Sequence, residues 1–199
     1  MLAAAERGAG SGPMGLPAWQ DRPMEERTVS TRRVFEGRLL TVRVDEVEMA
    51  DGRPARREII EHPGAVGIVA WDGERMAMVR QWRQAAGRDT LEIPAGTRDP
   101  GEEPHETAAR ELAEECGVTA ATWEAGPGFW TAPGFCTEYL TLWLATDLQP
   151  TSASGPEDEA LELEWLSLDE ALEAVASGMV SDAKSLVALY WFARRMGRA

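Results

Sequence analysis

Residues 96–118 read GTRDPGEEPHETAARELAEECGV, and the second half of this stretch organises the rest of the chain around it. Pro104 suits the first position of a helix, where a missing N–H costs nothing, and Gly117 suits the position just past its end. Between them Ala109, Leu112, Ala113 and Cys116 fall at i, i+3, i+4 and i+7, an apolar stripe. Glu111, Glu114 and Glu115 fall at i, i+3 and i+4 on the other side. One side of the helix thus packs on a core, and the other presents three carboxylates together. The plain reading of such a run is a solvated acidic face. Against it, like charges at this spacing cost some tenths of a kcal/mol each. Two of them also lie near the helix C-terminus, where the macrodipole disfavours negative charge. A hard, oxygen-seeking cation such as Mg²⁺ or Mn²⁺ would remove the conflict. On these residues alone both readings stand.

Outward from the helix, short strands dominate. Upstream, AVGIVAW and MAMVRQW flank Asp72-Gly73, and TLEIPAG leads into the helix. Further upstream TVSTRRVF, LLTVRVDEVEM and ARREIIEH are punctuated by Glu36-Gly37 and Asp51-Gly52, the latter a hairpin signal. Three such strands make a small antiparallel unit over 24–61, marginal alone. Residues 1–23, rich in Ala, Gly, Ser and Pro without periodicity, read as a flexible arm. Downstream, EYLTLWLA alternates Leu140, Leu142 and Leu144 on one face, LELEWL is a further strand, and helices are expected over 169–177 and 182–196. The order of elements suits an α+β fold better than a doubly wound parallel sheet.

Composition bounds the function. A formal net charge of -14 over 199 residues argues against a surface that coats nucleic acid, which needs clustered Lys and Arg. It does not argue against a phosphate-bearing small molecule met by a few arginines and by carboxylate-held cations. No apolar run approaches the roughly 18 to 20 residues a membrane span needs, and no signal peptide is visible, so a cytoplasmic home is the default. Cys116 and Cys136 are too few for a disulfide framework or a zinc cluster, and Cys116 reads as a small core hydrophobe. Trp71, Trp82, Trp143 and Trp165 are expected in the core rather than as platforms for a base.

The full stretch resembles the Nudix box: Gly, five residues, Glu, seven residues, Arg-Glu-apolar-any-Glu-Glu-any-Gly-apolar. Gly96, Glu102, Arg110, Glu111, Leu112, Glu114, Glu115, Gly117 and Val118 occupy every defined position. Even in a Glu-rich chain a chance match is on the order of one in a hundred thousand. The resemblance implies an α-β-α sandwich, here over 62–199 with the small β unit attached. It also implies metal-assisted attack of water on a phosphorus, with Glu111, Glu114 and Glu115 as metal ligands and Glu111 and Glu115 the principal pair. Arg110 is expected to orient these glutamates by ion pairing.

Flanking sequence is similar to the ADP-ribose pyrophosphatase branch: RREIIEHPGAVGIVAW, VRQWR and LEIPAG before the box, and APGFCTE after it, with Pro133 lying 15 positions beyond Val118. That resemblance, covering about Arg27 to Arg195, implies hydrolysis of ADP-ribose to AMP and ribose 5-phosphate. It implies phosphate contact by Arg80, a substrate or water contact by Glu92, and a metal-ligating carbonyl at Ala95. Arg56 and Glu58 would reach a partner's active site in a homodimer with exchanged N-terminal units, and Pro133, Gly134 and Glu138 would lie near the terminal ribose. The general base would be Glu159 or Glu157, with Glu159 preferred. Ala132, Cys136 and Thr97-Arg98 depart from the branch's usual residues and bear on sugar choice. The alternatives are another nucleoside diphosphate sugar, such as GDP-mannose, or a non-catalytic Nudix-fold binding protein. The latter usually loses box carboxylates, all of which are present here.

Overall fold

The computed structural model describes residues 24–152 and 160–198. The chain order is β1 (Arg27–Glu36), β2 (Thr41–Glu48), β3 (Pro54–Glu61), β4 (Ala65–Ala70), β5 (Met76–Arg83), β6 (Arg88–Glu92), β7 (Ala95–Thr97), α1 (Pro104–Cys116), β8 (Val118–Trp130), β9 (Tyr139–Pro150), β10 (Leu161–Leu166), α2 (Leu168–Ala176) and α3 (Ala183–Arg195). The strands form three sheets, ordered β1-β2-β3, β10-β5-β6 and β7-β4-β9-β8.

β4 explains the layering. All six of its residues, AVGIVA, are buried, as happens to a strand covered on both faces. On one face Val66, Ile68 and Ala70 meet Ala77, Val79 and the α1 residues Ala108, Leu112 and Cys116. On the other, Ala65 and Val69 join Leu140, Leu142 and Leu144 of β9 and Leu189 and Phe192 of α3. Helices on both sides of the sheets give the α-β-α sandwich of an α+β protein. The seam of α1 runs along Ala108, Leu112 and Cys116, with Thr107 also buried, one position from the expected Ala109 and Ala113, which are half-buried.

Two turn-rich stretches meet the sheets in different ways. Asp72-Gly73 makes a tight turn, with Asp72 Oδ1 accepting the N–H groups of Glu74 at 2.8 Å and Arg75 at 2.6 Å. Yet β4 and β5 part into separate sheets after a single bridge, Trp71 to Met76. β8 runs through Gly126-Pro127-Gly128. It forms a strand because the ladder with β9 shifts register between Ala125 and Gly128, where a bulge takes up residues that cannot ladder.

The N-terminal sheet joins the rest where β3 ends: Ile60 donates to Phe135 O at 2.7 Å, and Thr137 donates to Ile60 O at 2.9 Å. All ten residues of β1 are exposed, among them Val29, Val34 and Phe35. Trp82 corrects the core expectation: it is 57% exposed and its Nε1 bonds Gln84. Trp71, in contrast, packs on Phe192.

Candidate active site

The stretch from Ala95 to Gly117 is a short strand, a turn and a helix held together by Arg110. The helix begins with Pro104 at its first position, a capping box between Glu103 and Glu106, and it ends on Gly117 at φ 63°, a left-handed conformation that favours glycine. From α1 the Arg110 guanidinium donates to Glu102 Oε1 and Oε2, both at 3.0 Å. It also donates to Glu111 Oε1 at 2.6 Å, Glu114 Oε2 at 3.3 Å and the Thr97 carbonyl at 3.2 Å. The Arg110 hydrogen bonds, aided by Asp99 N–H and Thr107, hold the Glu102 carboxyl at a pKa of about 2 despite some desolvation. One arginine thus faces Glu102, Glu111 and Glu114, while Glu115 Oε2 accepts the Ala95 N–H at 2.9 Å. Cys116, beneath this group, has its thiol pKa pushed up by burial and by nearby Glu115, so it stays protonated and unreactive.

Gly96 is a spatial requirement. A Cβ there would overlap the Glu111 carboxylate outright, so only glycine lets that side chain lie against the β7 backbone. The carboxylates of Glu111, Glu114 and Glu115, with the Ala95 backbone against Glu115, offer oxygen donors, the kind a hard divalent cation takes. Among the described residues no three Asp, Glu, His or Cys side chains already close on one point; the carboxylates are drawn instead to Arg110 and the backbone.

Next to this group opens a cavity of about 500 Å³ lined by Ala95, Gly96 and Thr97 on one side and by Arg83, Glu92, Glu138 and Lys184 on others. Glu92 is 2% exposed. Burial alone would raise its pKa, but Arg83, Lys184 and Thr90 overcome that and hold it at about 2. Arg83 grips it with Nε at 2.8 Å and Nη2 at 2.6 Å. Glu138 accepts from Thr131 Oγ1 at 2.6 Å, and its other oxygen lies 3.8 Å from His62 Nδ1.

The structure therefore brings Glu92, Ala95 and Glu138 to one cavity, beside Glu111, Glu114 and Glu115. Arg80 is placed elsewhere. Strand alternation sets it on the face opposite Arg83, paired to Asp89 at 2.7 Å and Glu162 at 3.0 Å. Arg83 and Lys184 are the cavity cations the sequence reading missed. The β5-β6 register sets Arg83 opposite Arg88 and Glu92 opposite Val79, so the contact depends on the reach of the Arg83 side chain along one face; Lys184 comes from a helix 92 residues beyond Glu92. Pro133 and Gly134 line a second cavity of about 410 Å³ with Arg43, Arg57, Ile59 and Trp130. Arg56 and Glu58 alternate to the other, exposed face of β3, where Arg56 pairs with Glu46 at 2.8 Å. Glu157 and Glu159 lie outside the described residues.

Comparison with known proteins agrees with this geometry. Residues 61–190 match the NUDIX domain model; the chain belongs to the Nudix family. Residues 26–60 match the nucleoside diphosphate sugar hydrolase N-terminal domain. The ADP-ribose pyrophosphatase of Bacillus subtilis (strain 168) is 38% identical over 85% of this chain and 94% of its own length. That of Mycobacterium tuberculosis is 40% identical over 77% and 76%, and the methanol dehydrogenase activator of Bacillus methanolicus is 39% identical over 84% and 92%. A crystal structure of an ADP compounds hydrolase shares the fold at a TM-score of 0.78, covering 89% of this chain and all of the other at 24% identity. The chain is accordingly a Nudix hydrolase with its kin among the ADP-ribose pyrophosphatases. No helix of the described residues is long and apolar enough to cross a membrane.

Proposed function

We propose that this enzyme hydrolyses ADP-ribose to AMP and ribose 5-phosphate with the help of Mg²⁺ or Mn²⁺. The observation that carries the reading is one of charge. Glu102, Glu111 and Glu114 all pair with Arg110, with Glu115 alongside, at the rim of a cavity that also holds Arg83 and Lys184. Glu111, Glu115, Glu114 and the Ala95 carbonyl would hold the cation. Bound there, it supplies charge that offsets that of the pyrophosphate and makes a water easier to ionise. In the reaction a water oxygen bonds to one phosphorus, the bridging P–O bond breaks, and the second phosphate leaves with the bridging oxygen.

The chain's own residues do the rest. Arg110 keeps the box carboxylates apart and oriented. Arg83, lining the cavity, takes the phosphate role first expected of Arg80. Glu92 fixes Arg83, and Glu138, with Pro133 and Gly134 in the neighbouring loop, borders the sugar. Glu159, or failing it Glu157, accepts the proton of the attacking water. The exposed β1 supports a homodimer with exchanged N-terminal units, in which Arg56 and Glu58 serve the partner's site. Both cysteines are free thiols, in keeping with a reducing cytoplasm.

Release of the nucleoside monophosphate with Mg²⁺, AMP from ADP-ribose, ADP-glucose and FAD and GMP from GDP-mannose, tests the substrate. Fastest turnover of ADP-ribose is expected, and a clear preference for GDP-mannose would overturn the reading. Glu111→Gln and Glu115→Gln should each lower turnover by at least about 10², since a neutral amide weakens a hard-cation site. The methanol dehydrogenase activator relative favours a second reading, action upon a dehydrogenase. Release of AMP from ADP-ribose with no other protein present would speak against the need for one.

A further inference from the structure

The first turn of α3 grips the strand end that runs into the catalytic turn. Asp182 caps that helix, its Oδ1 accepting Ser185 N–H at 3.1 Å and Lys184 Nζ at 2.9 Å. Ser185, fully buried, accepts the Ile93 N–H on its Oγ at 2.9 Å. Lys184 Nζ also binds Glu92 Oε2. Glu92 is thereby held from two sides, by Lys184 behind it and by the Arg83 fork in front, with Thr90 Oγ1 donating to Oε1 at 2.6 Å. Exposure separates this chain of charges: the Lys184 side chain is 14% exposed and Glu92 2%, against 42% for Arg83. All three line the cavity, and Arg83 is the member most open to it. A fork that uses Nε and Nη2 leaves the Nη1 edge of the planar guanidinium for another acceptor.

We propose that Lys184 is a positioning residue for the substrate pyrophosphate, acting through Glu92 to hold the Arg83 guanidinium at the cavity surface. The proposal rests on the ADP-ribose reading above and deepens it. Arginine has a long, flexible stem, and its value to a phosphate depends on its fork being held in place beforehand. A buried carboxylate shared by two cations cannot follow one of them. Once Lys184 is removed, Glu92 has a single cationic partner and the two move together, so Arg83 meets the phosphate less often in a productive pose. Asp182 and Ser185 tie the same helix turn to the backbone just before Ala95, which fixes the Lys184 stem.

The test compares wild type, Lys184→Met, Lys184→Gln, Lys184→Arg, Arg83→Ala and the Arg83→Ala/Lys184→Met double variant. AMP release from ADP-ribose is followed along with calorimetric binding of ADP and melting temperature. Lys184→Met should raise KM and the Kd for ADP by about tenfold and leave kcat within about threefold, because binding and not the chemical step is disturbed. Lys184→Arg should recover most of the loss. In the Arg83→Ala background Lys184→Met should add less than about twofold, since neighbours that act through one another are not additive. Lys184→Gln gives the same comparison where Met compromises folding. A full Lys184→Met effect on top of Arg83→Ala overturns the proposal, because Lys184 then acts independently of Arg83. Equal losses in the Met and Arg variants overturn it too. If wild type releases no AMP from ADP-ribose, the substrate reading fails, and the ADP-binding series still decides the role of Lys184.

Discussion

Replacing Glu92 by Gln should destabilise the protein by an amount readable from its environment. Glutamine mimics the protonated acid, so the cost is the free energy by which the fold favours the carboxylate. A pKa lowered from 4.5 to about 2 corresponds to about 3 kcal/mol at neutral pH. The side chain is 2% exposed, so solvent screening takes little from that figure. For a chain of this length it amounts to a fall in Tm of about 6 to 12 °C. The pH dependence has a definite sign. Because the folded-state pKa is depressed, the contribution is complete above about pH 5.5 and drains away as pH falls through 4.5 toward 2. Urea unfolding of wild type and Glu92→Gln at pH 7, 5, 4 and 3.5 should therefore show a gap that is level at first and then narrows by about 1 kcal/mol by pH 3.5. A gap that stays constant down to pH 3.5, or one under about 1 kcal/mol at pH 7, would refute the assignment of Glu92 as the anion between Arg83 and Lys184.

Three further outcomes are expected. Gly96→Ala drives a methyl into the space of the Glu111 carboxylate, so kcat should fall by about 10² or more with a stability loss of about 1 to 3 kcal/mol; retained turnover would mean that Glu111 need not lie against β7. Glu159→Gln should lower kcat by roughly 10² to 10⁴ with little change in KM, and Glu157→Gln should be mild; reversed effects make Glu157 the base, and two fully active variants leave the loop without a catalytic role. Sedimentation should show a dimer at micromolar concentration, and a chain beginning near Pro63 should lose both dimerisation and substrate affinity, whereas a fully active full-length monomer would refute exchange of the N-terminal units.

The site was legible in sequence where local spacing carries it. Helix α1, its proline start, its glycine stop and the clustering of Glu111, Glu114 and Glu115 are all consequences of a 3.6-residue repeat. The small N-terminal sheet was legible for the same kind of reason, since its turns and strands are short-range. What could not be read locally depends on faces and distant partners. Arg80 and Arg83 stand three residues apart in the same strand, and only the pairing of β5 with β6 and β10 decides which of them faces the cavity. Lys184 reads as an ordinary surface residue of an amphipathic helix until α3 is docked beside Glu92. β8 was hidden because a bulge makes Gly-Pro-Gly compatible with a ladder that its sequence argues against.

The parallel pairing of β4 with β9 has a consequence for how the enzyme is made. Ala65 meets Leu140, and the ladder runs on to Ala70 and Ala145, so β5, β6, β7, α1 and β8 all lie inside the loop that this pairing closes. Such long-range closures are slow relative to helix and hairpin formation. Between Cys116, where the carboxylate helix ends, and Tyr139, where β9 starts, a ribosome spends on the order of one to a few seconds. For that interval the nascent chain already carries α1 with all its glutamates, but β4 has no parallel neighbour, and Val69 and Ala65 lack the leucines and the α3 helix that later cover them. One face of the central strand therefore stays uncovered until the last third of the chain is made.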